Sequence, residues 1–164
     1  CIVGGDNQHY HFDYKEADML CDKLLELKKN HLNINLKVIT SRRTSQLVKN
    51  KINKNLKNIA SIWDGEGNNP YEEAIQSSSF FIVTSDSTSM ISEAAISGKP
   101  IYIYHLPFKR KSVRISNFHE EFSKIGITRD LKNIKHLENW EYNLLNESER
   151  IGSIIKKKII EDII

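Results

Sequence analysis

Residues Phe80–Pro107, FFIVTSDSTSMISEAAISGKPIYIYHLP, decide the fold. Phe80–Thr84 and Ile101–Tyr104 are short apolar runs rich in β-branched and aromatic residues, as expected of strands buried on both faces. About fifteen residues separate them, enough for one crossover helix and two tight loops. Gly98 stops that helix and Pro100 prevents its continuation. The unit reads as a βαβ crossover, and with it the class reads as α/β with a doubly wound parallel sheet. The chemistry lies in the turn Ser85-Asp86-Ser87-Thr88-Ser89, where a strand's carboxyl end meets a helix start. Ligands of open parallel sheets bind at that edge, and a helix N-terminus offers unpaired N–H donors suited to phosphate. At ~100° per residue, Ser89, Ser92 and Glu93 share one helix face, while Ile91, Ala94 and Ala95 share the other. Glu93 would then accept from the vicinal hydroxyls of a ribose whose phosphates sit at the helix start, with Met90 beside it. The plainer alternative is that Ser87–Ser89 only cap the helix and Glu93 is solvated.

At 164 residues the chain is one domain by size. Its hydrophobic content of 39% suffices for a core because the apolar residues cluster in strand-like runs. A net charge of +3, with no basic stripe interleaved with aromatics, excludes nucleic acid as the expected partner. Lys156-Lys157-Lys158 reads as a solvated helix face. Cys1 and Cys21 have neither metal-ligand spacing nor a disulfide pattern, which makes a reduced cytoplasmic setting the expectation. No apolar run approaches the roughly 20 residues that span a bilayer, while peripheral contact with the inner membrane stays open.

Taken in order, Cys1–Gly5 reads as the first strand, and Gly4-Gly5 at its end would let a backbone approach a phosphate closely, or make an ordinary tight turn. His9 and His11, without a third ligand nearby, make a poor metal site, and no metal or cofactor is expected. Asp13–Asn30 is helical, capped by Asp13, with Ala17, Leu20, Cys21, Leu24, Leu25 and Leu27 as its apolar face. Asn35–Thr40 is the second strand, ending at Ser41-Arg42-Arg43-Thr44. Two arginines at the ligand edge suit phosphate or carboxylate; contact with another domain, or plain surface charge, are the alternatives. Thr44 is placed to cap a helix over Ser45–Asn55.

Ile59–Trp63 is the third strand, followed by the turn-rich loop Asp64–Tyr71. There Asn69 caps, Pro70 takes the first helical position, and Tyr71 has no structural reason of its own. After the central βαβ come His105, either an acid/base group or a satisfied structural histidine, and a basic loop carrying Lys109, Arg110, Lys111 and Arg114. That loop would attract a diphosphate or an acidic lipid headgroup. Asn117–Ile125 reads as a helix stopped by Gly126, and Ile127-Thr128 as a short edge strand. Trp140 and Tyr142 anchor the following segment on the core, and Ser148–Ile164 reads as a long helix with an isoleucine stripe.

The segment Phe80–Pro107 resembles the nucleotide-binding segment of GT-B glycosyltransferases, where a Ser/Gly-rich turn leads into a helix bearing a ribose-binding Glu. More closely, Val3-Gly4-Gly5, Thr40-Ser41-Arg42-Arg43-Thr44, Asn69-Pro70-Tyr71 and Val83-Thr84-Ser85-Asp86-Ser87 with Ser89-Met90-Ile91-Ser92-Glu93-Ala94 resemble the ELM-type mitochondrial fission family. Its bacterial relatives are often described as predicted nucleoside-diphosphate-sugar epimerases. The resemblance covers about residues 1–130.

It implies a Rossmann-like domain over 1–147, corresponding to the C-terminal half of a GT-B fold, with a preceding domain missing and helix 148–164 packing toward it. It implies a nucleotide-sugar donor held by Gly4, Gly5, Ser41, Arg42, Arg43, Asn69, Tyr71, Ser85, Asp86, Ser87, Ser89, Met90 and Glu93. In this arrangement Tyr71 lies by the base or ribose. The reaction implied is metal-independent glycosyl transfer in cell-envelope glycan synthesis, or epimerisation. The alternative is a non-catalytic adaptor of the fission type.

Overall fold

A computed structural model describes residues 1–143 of the chain. Six strands form one all-parallel sheet in the order β3-β2-β1-β4-β5-β6. They are β1 (Ile2–Val3), β2 (Leu36–Thr40), β3 (Ala60–Trp63), β4 (Phe81–Thr84), β5 (Ile101–Tyr104) and β6 (Thr128–Asp130). The connecting helices are α1 (Tyr14–Asn30), α2 (Gln46–Leu56), α3 (Tyr71–Ser77), α4 (Thr88–Ile96) and α5 (Val113–Lys124). This is the Rossmann-like doubly wound arrangement, and the strand order reverses between β1 and β4.

Two cores follow from the alternation of side chains across the sheet. On one face Val3, Val38, Ile82 and Tyr102 pack under Ala17, Leu20, Leu24, Leu27, Val48, Ile52 and Leu56 of α1 and α2. On the other, Ile2, Phe81, Val83, Ile101 and Ile103 pack under Ile91, Ala94 and Ala95 of α4 and Phe122 of α5, with Tyr71 and Ile75 of α3 at the margin. All four residues of β4 are buried, as a central parallel strand requires.

Local chemistry sets the element ends. The Asp13 carboxylate accepts from the amides of Lys15 and Glu16 and starts α1. Gly98 and Gly126 hold positive φ of 70° and 78° just past α4 and α5, where a residue with Cβ would be strained. Trp140 packs edge-on against Tyr102 and donates to the Gly126 carbonyl, and the Tyr142 hydroxyl donates to the carbonyls of Ala95 and Lys99, so both anchor the segment as expected.

Several local expectations shift. Leu25 is exposed, because it falls off the α1 stripe that Ala17, Leu20, Cys21, Leu24 and Leu27 bury. Ser45 rather than Thr44 caps α2, accepting from the Val48 amide. Pro70 takes the cap position of α3 and Tyr71 the first helical one, while Asn69 Oδ1 accepts from the Tyr71 amide. α5 starts four residues earlier than the basic composition indicates, because the Ser112 hydroxyl accepts from the Ile115 amide and Ile115 and Phe122 turn inward. The expected helix over 148–164 lies outside the described residues.

Candidate ligand crevice at the switch point

At the reversal of strand order the loops after β1 and β4 leave toward opposite faces of the sheet, the arrangement that in doubly wound folds makes a ligand crevice at the carboxyl edge. Its floor is Asp86. The side chain of Asp86 is fully buried; Oδ2 accepts from the Gly5 amide at 3.0 Å and Oδ1 from the Thr84 hydroxyl at 2.6 Å. Arg43 completes the set, with Nη1 2.8 Å from Oδ2. Buried carboxylates need such partners, since an unpaired one forfeits its hydration without return. The Thr84 hydroxyl also accepts from the Gly4 amide at 2.8 Å, which ties β1 to β4 at their ends.

The two glycines are fitted to this floor. A Cβ on Gly4 would stand 2.1 Å from Asp86 Oδ2, and one on Gly5 would stand 2.1 Å from the Arg43 carbonyl oxygen. The Ser41–Thr44 turn is seated on β1: Thr44 Oγ1 donates toward the carbonyls of Val3 and Gly4, and its own acceptor side takes the Ser41 amide. That work explains why Thr44 is buried and does not cap α2. Arg42 is exposed and makes no hydrogen bond or ion pair among the described residues.

One wall is the first turn of α4. Ser87 occupies its cap position with extended backbone, but its hydroxyl accepts from no helix amide. The capping alternative is thus met in part: Ser87 is the cap residue and Glu93 is exposed, while the side-chain cap bond is not made. Ser89 and Glu93 are exposed and Ser92 is half-buried, while Ile91, Ala94 and Ala95 are buried, as the helical spacing predicted. Met90 is partly buried against the second core. Facing this wall, Tyr71 at the start of α3 donates its hydroxyl to Glu93 Oε2 at 2.5 Å. Partial burial, and then the Glu93 bond, push the Tyr71 phenol up from its ordinary value, so it stays protonated and donating. Residues 22 apart in sequence thus meet at one point of the crevice.

Ser85 is structural. Its hydroxyl accepts from the Leu106 amide at 3.0 Å and its carbonyl from His119 Nε2 at 2.9 Å. His119 was not singled out in the sequence, although it lies one turn after Ile115 on the inward face of α5. His105 contacts it edge-on, with ring centroids 5.3 Å apart. Over the top, the loop after β1 is laced to the loop after β5: Tyr10 stacks on Phe108, the His9 carbonyl accepts from Lys109, and the His11 amide donates to the Pro107 carbonyl. Lys109 pairs with Asp6, whose carboxyl is lowered chiefly by that contact. Arg110, Lys111 and Arg114 remain exposed beside the crevice. Among the described residues no cluster of His, Cys, Asp and Glu is arranged to hold a metal. No described helix is long and apolar enough to cross a membrane.

The family model for mitochondrial fission ELM1 matches residues 1–159. The chain belongs to the ELM1 family. It is 35% identical over 160 residues to the uncharacterized protein RP120 of Rickettsia prowazekii (strain Madrid E), covering 94% of this chain and 45% of that protein. It is 27% identical over 163 residues to the mitochondrial fission protein ELM1 of Arabidopsis thaliana, covering 96% of this chain and 36% of that protein. This ELM1-family chain therefore spans less than half the length of either relative.

Proposed function

We propose that this ELM1-family chain is the nucleotide-diphosphate-sugar-binding half of a GT-B-like enzyme, acting in glycosyl transfer to a cell-envelope acceptor. What carries the proposal is the Tyr71–Glu93 pair, one turn into a helix that starts at the switch point and whose cap hydroxyl is unspent. The α4 amides, with Ser87 and Ser89, take the diphosphate. The Tyr71 hydroxyl occupies Glu93 Oε2, which leaves Oε1 to accept from ribose hydroxyls. Arg42 and Arg43 offset charge on the departing diphosphate, so the transfer runs without a metal ion. Arg110, Lys111 and Arg114 border the pocket and suit an acidic headgroup at the cytoplasmic face of the inner membrane. Epimerisation of the bound sugar would use the same donor pocket.

A second reading, a non-catalytic adaptor, is favoured by the fission role in the name of the Arabidopsis relative. Calorimetric titration of the full-length protein with UDP, GDP, ADP, CMP and their sugar conjugates separates the two. The enzyme reading predicts saturable binding of one nucleotide, weakened by Glu93→Ala by about 1.5–3 kcal/mol, roughly tenfold or more. Folded protein that binds none of them leaves the adaptor.

A further inference from the structure

We propose that Asp86 is a positioning residue: it does not touch the ligand, and it presets the Arg43 guanidinium at the mouth of α4 to receive phosphate. This rests on the diphosphate pocket proposed above and assigns the device that orients its cation.

Three chain segments converge to build that device. Asp86 immediately precedes Ser87, the cap residue of α4, so its carboxylate ties Arg43 to the residue before the helix start. The carboxylate is itself fully buried and held by the Gly5 amide and the Thr84 hydroxyl. Gly5 admits the backbone of the Arg43 turn flush against β1, where any Cβ would collide with the Arg43 carbonyl.

Arg43 meets Asp86 through one nitrogen, and its side chain stays 42% exposed. A guanidinium carries five N–H donors in a rigid fork, and among the described residues this one makes no other side-chain hydrogen bond or ion pair. The unspent donors are what a phosphate would take. A free surface arginine loses rotamer freedom when it clamps an anion; one already held by a fixed carboxylate loses little. Asp86 is too deeply enclosed to contact ligand, and its charge is offset by Arg43, so it does not repel the phosphates.

The test is a double-mutant cycle read by calorimetric titration of inorganic pyrophosphate into the full-length protein. Asp86→Asn and Arg43→Ala are each expected to weaken binding about tenfold, and the double variant to bind no more weakly than Arg43→Ala alone. A purely structural Asp86 would instead weaken binding equally in the Arg43→Ala background, and that result overturns the inference, as does unchanged affinity in Asp86→Asn. If Asp86→Asn fails to fold, 15N relaxation of the Arg43 Nε–H in the wild-type protein decides. An ordered side chain before ligand is added is expected, and a disordered one refutes presetting. Wild-type protein that binds neither pyrophosphate nor any nucleoside diphosphate refutes the pocket itself and the inference with it. Binding that is indifferent to Asp86 refutes the inference alone.

Discussion

At the scale of single residues, the crevice is governed by a carboxylate that occupies space a side chain elsewhere would take. Gly4 has no Cβ because the Asp86 carboxylate lies where one would be. Gly4→Ala must push that carboxylate off Gly5, Thr84 and Arg43 or bend β1 away from β4. The expected loss of stability is about 1–3 kcal/mol, the usual range for overpacking a tight site, read from the urea midpoint. An unchanged midpoint would mean that the floor is not rigid. This contact was not legible in the sequence. Gly4-Gly5 there had a ready local explanation as a turn or a phosphate approach, and nothing periodic links Gly4 to a residue more than eighty positions later. Tyr71 shows the opposite case: it was singled out because capping and helix-start chemistry accounted for Asn69 and Pro70 and left it over. Its bond to Glu93 supplies the missing reason.

At the scale of elements, α5 is tied to the β4–α4 turn through His119 Nε2 and the Ser85 carbonyl. Burial lowers His119 below its ordinary 6.5; the neighbouring His105 lowers it further, while the Ser85 carbonyl and Asp86 oppose the shift. The unfolded chain therefore takes up this proton first as pH falls. Stability from the neutral ring is complete above the unfolded value of 6.5 and declines as pH drops below it toward the folded value. His119→Gln, which keeps a donor for the carbonyl, is expected to lose less stability than wild type between about pH 7 and about pH 5 in chemical denaturation. Identical losses would show that His119 is not held neutral. This tie escaped the sequence reading because its partner is a backbone carbonyl 34 positions away, which no residue pattern marks; the α5 boundary was missed for a separate reason. Lys109 to Arg114 look like a solvated loop by composition, and the Ser112 cap with Ile115 and Phe122 inward is a weak signal beside that run of charge.

At the scale of the whole molecule, the fold was legible because two apolar β-branched runs bracketing a glycine-stopped helix admit few arrangements other than a parallel crossover. The strand order β3-β2-β1-β4-β5-β6 was not legible, since the same units can be laid down in more than one order. That the loops carrying the candidate residues share the carboxyl edge of the sheet was legible, since a parallel sheet puts them there. The division of labour inside the crevice was not, because it depends on contacts between loops far apart in sequence. A different concavity exists at the opposite, amino-terminal edge of the sheet, a groove of about 590 Å³ lined in part by Cys1, Leu36, Phe80 and Leu137.

Binding of a nucleoside diphosphate over the β1/β4 switch point would be read residue by residue in amide chemical-shift mapping of the full-length 15N-labelled protein with UDP, GDP and ADP in turn. Shifts concentrated at Gly4, Gly5, Arg43, Ser87, Ser89 and Glu93 are expected with one of the three. Shifts confined to the amino-edge groove, or none at all with every nucleotide, would rule out a nucleotide site at the switch point.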